Sequence, residues 1–303
     1  MQIGIAFPHH AIGMDPVVIR DWAQAAEDLG FDRLIIYEHV LLPDAQAHPT
    51  RVFRYTNRTV LHEPLVLCGF LAAATRRIGL QTGVIVAPLH QTIIPAKQAA
   101  EVDVLSGGRL RLGVGVGWME FEFEALGRSF HNRGARLDEQ MALMRALWTS
   151  DSVTFHGHEH HIDGAGLNPL PVQQPIPLWV GGGVRASVRR AARLGDGWIV
   201  PGSYMGQLPD ANALQALDWL RAEEAAAARP AGSVGVQGVM TIGRTFEAEW
   251  AATADEWKRF GATDLLVDTG VTSLGRDESL DTAAAQLKAL PRIKEALGPV
   301  MAG

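Results

Sequence analysis

The chain has 303 residues, 47% hydrophobic and 20% charged, with 27 basic against 33 acidic side chains and a formal net charge of −6. This balance excludes a disordered chain and a disulfide- or metal-stapled miniature, and it lacks the basic excess that grips a phosphate backbone, so no nucleic-acid partner is expected. The single cysteine, Cys68, cannot form an internal disulfide, the opening MQIGIAFPHH lacks the basic start of a secretory signal, and no apolar run reaches the roughly 20 residues that cross a bilayer. A cytoplasmic protein with no membrane span and a small-molecule substrate is the expectation.

In chain order, residues 3–7 read as a strand closed by Pro8, 17–29 as a helix stopped by Gly30, and 33–37 as a second strand. Helices over 65–75, 95–105 and 133–148 alternate with strands over 80–86 and 110–116. Beyond these, strands over 177–180, 197–200, 234–242 and 264–267 alternate with helices over 186–194, 212–228, 247–260 and 280–297. About eight strand–helix units predict the α/β class and a (β/α)8 TIM barrel with insertions, in one domain spanning 1–303; an open, doubly wound sheet is the alternative. Two segments interrupt the repeat. The first, about 40–62, follows a strand and belongs on the active-site side of a barrel, where it could act as a mouth lid. The second, 151–174, follows a helix, starts on the far side and reads as a hairpin turning at Gly157.

Glu38 and His39 stand directly after the strand LIIY, which puts an imidazole at the carboxyl end of the barrel. Histidine titrates nearest neutrality and suits proton transfer there; a rim histidine held for structural reasons is the competing reading. Gly113-Val114-Gly115-Val116-Gly117 departs from the dinucleotide-binding pattern, because Trp118 occupies the third glycine position. Its alternate glycines, Gly115 and Gly117 included, either let a flat ring approach or make room inside the barrel. Gly181, Gly182, Gly183 and Val184 form a strand–turn–helix entry whose free N–H groups suit a phosphate, and Gly202 and Ser203 after the next strand could add to it.

Other clusters read differently. His156, His158, His160 and His161 around Glu159 suit a solvated hairpin better than a metal site. Glu120, Glu122 and Glu124 suit a solvated loop face. Arg51, Arg54 and Arg58, interleaved with Phe53 and Tyr55, could cover an anionic or aromatic ligand.

The segments AAEDLGFDRLIIYEH, LAAATRRIGLQTGVIVAPLHQTIIPAKQAAEVDVLSGGRLRLGVGVGW, EFEALG with NRGARLDEQMALMRALW, and IPLWVGGG with RRAARLGDGWIV together resemble the bacterial luciferase-like monooxygenase superfamily. The likeness is greatest to its F420-dependent oxidoreductase branch. The resemblance implies a barrel holding coenzyme F420 or, alternatively, FMN at its carboxyl mouth, with the phosphate at the WVGGG turn and near the next strand end. It also implies a non-prolyl cis peptide at Gly83-Val84 behind the cofactor ring, His39 as an active-site and sometimes catalytic residue, and Glu38 as a cofactor-contacting acid. F420-dependent glucose-6-phosphate dehydrogenases of this branch carry glutamate directly after the GxGxG run, where this chain has Trp118, which argues against sugar-phosphate oxidation. The expected activity is hydride transfer between F420 and a small organic substrate. The alternatives are FMNH2-dependent monooxygenation with a partner flavin reductase and, in another class, a non-catalytic flavin-binding protein. A homodimer is a further expectation from the resemblance.

Overall fold

A computed structural model describes residues 1–48, 50, 55–201, 208–242, 247–269 and 280–301. Eight parallel strands close into a barrel: β1 (Gln2–Ala6), β2 (Arg33–Ile36), β3 (Gly79–Thr82), β4 (Leu110–Val114), β7 (Leu178–Gly181), β8 (Gly197–Ile199), β9 (Gly235–Thr241) and β10 (Asp264–Asp268). The ring runs β1-β10-β9-β8-β7-β4-β3-β2, with β1 paired to both β2 and β10, so closure replaces the open-sheet alternative. The strands are short and almost wholly buried because helices cover them outside and side chains fill them inside, which is why they read as apolar runs.

The surrounding helices are α1 (His9–Ile12), α2 (Pro16–Asp28), α3 (Pro64–Ala74), α4 (Ile93–Ser106), α5 (Glu120–Ala125), α6 (Arg133–Thr149), α7 (Arg185–Leu194), α8 (Ala211–Ala226), α9 (Trp250–Phe260) and α10 (Ala283–Met301). Three of their starts are written locally. Asp15 accepts from Val17 N ahead of Pro16, Glu63 accepts from Val66 N ahead of Pro64, and Asp210 accepts from Ala213 N. Each joins a capping oxygen to free amides, and two add proline at the first helical position. Glycine at 107, with φ +68°, closes α4 in the left-handed region.

Toward the amino ends of the strands the interior is partly polar. Arg111 Nη1 donates to Asp264 Oδ1 at 2.7 Å while its guanidinium lies 3.9 Å over Trp179, and Gln81 Nε2 donates to Gln237 Oε1 at 2.7 Å. These groups satisfy one another, which is the condition for burying them.

Outside the barrel, β5 (Val153–His156) and β6 (His161–Ala165) form the expected antiparallel hairpin, with Gly157 N donating to His160 O at 2.8 Å. It leaves the amino side as expected, but its turn climbs beside α6 as far as Thr92, ahead of α4, where His160 Nε2 lies 2.6 Å from Thr92 Oγ1. His156, His158 and His161 are exposed, whereas Glu159 and His160 are partly buried against α6. The hairpin is therefore solvated on one face only. No group of residues able to hold a metal is found among the described residues, and no helix among them is long and apolar enough to cross a membrane.

Candidate active site

The carboxyl ends of β2, β3, β4 and β7 bring together most of the residues singled out from the sequence. The strand expected over 80–86 stops at Thr82, just ahead of the Gly83-Val84 peptide, which is cis. Pairing resumes only at Ile85, which bridges Val114 of β4. Val84 then projects between two other strand ends. A Cβ on Gly115 would lie 2.7 Å from Val84 Cγ2, and one on Gly181 would lie 2.9 Å from Val84 Cγ1. Gly83 itself abuts Ile35, where a Cβ would come within 2.3 Å of Cγ2. The glycines of the GVGVG run and of the β7 end thus share a purpose: they seat the segment after β3 at the mouth. Gly117, at φ +75°, does the same for Val86, whose Cγ1 would sit 2.5 Å from an added Cβ.

Two Glu–His pairs cross at the end of β2. Glu38 is buried; its Oε2 accepts from Val86 N at 2.6 Å and its Oε1 lies 3.0 Å from His90 Nε2. Burial alone would lower the pKa of His90, but the bond to Glu38 and its charge outweigh that, and the net direction is upward. Glu38 thereby fixes the segment that carries Val84 and Val86. The next residue points to another partner. His39 Nδ1 lies 2.9 Å from Glu122 Oε2, while Glu122 Oε1 accepts from Val40 N at 2.8 Å and Leu41 N at 3.3 Å. The His39 ring is flanked by Tyr55, 5.1 Å away between centroids, and by the edge of Trp118 at 5.8 Å.

Glu122 corrects the sequence reading of a solvated acidic face. Glu120 and Glu124 are exposed, but Glu122 is only 2% exposed, because α5 turns Met119, Glu122 and Phe123 to the same inner side. The alternation EFEFE suggests a two-residue period, whereas the spacing of Met119 and Phe123, four apart, is the helical signal that would have found it.

His9 at the end of β1 was also not legible. It is buried against Phe7, Tyr37 and His62, and burial together with the neighbouring His62 and His10 lowers its pKa to about 3. A neutral ring accepts at one nitrogen only, so the shorter approach, His62 N to Nδ1 at 3.1 Å, is assigned as the hydrogen bond. It ties the end of the 40–62 insertion to the barrel.

The glycine turn leads into α7 through Val184, which is 62% exposed and provides no side-chain cap, so the helix offers amides that no side chain satisfies. Gly182, at φ +132°, donates weakly to Ile199 O and its carbonyl accepts from Trp198 Nε1 at 2.7 Å. Gly202 and Ser203, expected beside this turn, lie outside the described residues, as do Arg51, Phe53 and Arg54; Arg58 is exposed.

A closed parallel barrel gathers a histidine, a glycine-flanked valine and an uncapped helix start at its carboxyl end, the end at which barrel enzymes build their sites. Residues 1–297 match the family model for luciferase-like monooxygenases, and the chain belongs to that family. Among characterised relatives, the F420-dependent glucose-6-phosphate dehydrogenase of Gordonia bronchialis is 31% identical over 65% of this chain and 56% of its own length. The FMNH2-dependent dimethylsulfone monooxygenase of Pseudomonas putida is 29% identical over 61% of this chain and 48% of its own. An uncharacterised Mycobacterium tuberculosis protein is 36% identical over 61% of this chain and 66% of its own. The chain thus spans less than two thirds of the length of these relatives. Among solved structures, the F420-dependent tetrahydromethanopterin reductase of Methanopyrus kandleri superposes with a TM-score of 0.74 at 15% identity, covering 99% of both chains, a likeness of fold.

Proposed function

We propose that this chain is an oxidoreductase that moves hydride between coenzyme F420 and a small, apolar organic substrate, with His39 as its catalytic residue. The observation that carries the reading is the arrangement at the β2 end: an imidazole bonded through Nδ1 to Glu122, set between Trp118 and Tyr55, at the same end of the barrel as the glycine-flanked Val84. The residues present fit such a cofactor. The half-buried Val84, seated between Gly115 and Gly181, offers an apolar surface to a ring, and Gly183, Val184 and the first amides of α7 offer donors to a phosphate. When bound, F420 supplies the hydride-transferring carbon, and the difficult chemistry is the cofactor's.

The protein's part is positioning and proton handling. Glu38 and His90 hold the segment after β3 that forms this surface. His39 offers Nε2 to a substrate proton, and Trp118, 58% exposed, with the exposed Val40 and Leu41, gives that substrate an apolar rim. F420 is favoured over FMN because the F420-dependent relative is the more similar of the two cofactor-named ones. The test is to titrate the purified protein separately with F420 and FMN. Tighter binding of F420 is expected. Binding of FMN alone, with oxygenation when a flavin reductase supplies FMNH2, would replace this reading by the monooxygenase, and binding of neither would end both.

A further inference from the structure

We infer that Glu122 is a positioning residue that sets the tautomer of His39, holding the proton on Nδ1 and leaving Nε2 as a bare acceptor. The catalytic consequence rests on the proposed function; the tautomer does not.

The inference follows from counting donors around one buried carboxylate. Oε1 receives two backbone N–H groups, from Val40 at 2.8 Å and Leu41 at 3.3 Å, and these donors cannot change character. An ionised carboxylate accepts at both oxygens, so Oε2, 2.9 Å from His39 Nδ1, is an acceptor too. A neutral imidazole facing an acceptor at Nδ1 must carry its proton there, so Nε2 has the free lone pair. Among the described residues Nε2 makes no hydrogen bond, while the ring is confined by Tyr55 and Trp118. The same carboxylate therefore anchors the start of the 40–62 insertion and chooses which ring nitrogen can take a proton. It acts through His39 and touches neither substrate nor cofactor.

Glu122→Gln makes this testable, because an amide has one oxygen and one NH2. The two backbone donors require the oxygen, so the NH2 turns to His39 Nδ1. That nitrogen can accept only if the ring proton moves to Nε2. The substitution, nearly isosteric, should reverse the tautomer.

The measurement is a two-bond 1H–15N correlation spectrum of the full-length protein labelled with 15N-histidine, under conditions where the ring is neutral, with His39 assigned by its loss in His39→Gln. Wild type should show a protonated Nδ1 and a bare Nε2, and Glu122→Gln the reverse. Cofactor affinity should stay within about twofold of wild type, while the single-turnover rate falls by about 10²–10⁴-fold, the range produced by a misplaced or lost acid–base proton. Wild-type His39 protonated at Nε2 would overturn the inference without any variant. So would an unchanged tautomer in folded Glu122→Gln. The predicted tautomers in a protein that binds neither F420 nor FMN would uphold the positioning role and remove the proposed function instead.

Discussion

The molecule uses one device twice. On α6, Glu139 accepts from the backbone N–H groups of His158, Glu159 and His160 and from His160 Nδ1 at 2.6 Å. On α5, Glu122 accepts from the N–H groups of Val40 and Leu41 and pairs with His39 Nδ1. Both carboxylates clamp a loop to a helix through amides and an imidazole. They differ at the other ring nitrogen. His160 Nε2 is taken up by Thr92 Oγ1 at 2.6 Å, and Gln140 Nε2 in turn donates to that hydroxyl at 3.0 Å, so this clamp is closed. His39 is flanked by aromatic rings at the barrel mouth, and among the described residues its Nε2 makes no hydrogen bond. The same local chemistry serves structure where both nitrogens are engaged, and can serve catalysis where one remains for a ligand.

The sharpest way to break the comparison is to remove each imidazole. His39→Ala should lower the single-turnover rate by about 10²–10⁴-fold with cofactor affinity little changed. His160→Ala should leave the rate per folded molecule nearly intact and lower stability by about 1–3 kcal/mol, because it removes one hydrogen bond from Glu139 and one from Thr92. Equal effects on the rate would erase the distinction between the two clamps.

A smaller effect is expected at the phosphate end. An aspartate at the start of α7, in Val184→Asp, would cap the free amides and place a negative charge where the cofactor phosphate is proposed to sit. Cofactor binding should weaken by about tenfold or more while the melting temperature holds or rises. Unchanged affinity in isothermal titration would move the phosphate elsewhere. This variant is preferable to Gly182→Val, since Gly182 has φ +132° and an added Cβ would lie 2.6 Å from Ser187 Oγ.

Glu139 and the Glu38–His90 pair answer to pH in opposite senses. Burial opposes ionisation of Glu139, but His160 and three backbone donors outweigh it and hold its pKa at about 2, below the ordinary 4.5. A depressed carboxylate contributes stability that is present above 4.5 and lost as pH falls toward 2. Glu139→Gln should flatten that acid limb in a series of thermal melts. The Glu38–His90 pair has the opposite sign. A raised histidine contributes fully below its ordinary 6.5 and loses that contribution as pH rises through the folded value. Wild type should lose a little more stability than His90→Gln between neutral and alkaline pH, the smallest effect of the set.

Most of the barrel was legible because most strands are short apolar runs followed by glycine or proline and several helices have a written start, as at Asp15-Pro16 and Glu63-Pro64. The strand after α3 was read too long, since nothing in the composition of residues 80–86 marks Thr82 as its last residue; the cis peptide came only through family resemblance. The position of His39 at the barrel mouth was legible from its place after β2. Its partner was not, because Glu122 lies 83 positions away and its alternation with Phe121 and Phe123 hides a helix. His9 and His62 meet across 53 positions through an insertion whose path no period encodes. The expected far-side hairpin was right in its start and short of the truth in its reach, since the clamp at Glu139 that steers its turn toward Thr92 depends on tertiary contact.

The most direct test of the account is a single turnover of the F420-loaded wild-type protein under argon, followed by the absorbance of the bound cofactor as candidate apolar substrates are added, and repeated in air with an oxygen electrode. The account predicts that bound F420 changes redox state at the same rate in both atmospheres, with no oxygen consumed. Turnover that requires oxygen and reduced FMN, with F420 left unbound, would contradict it.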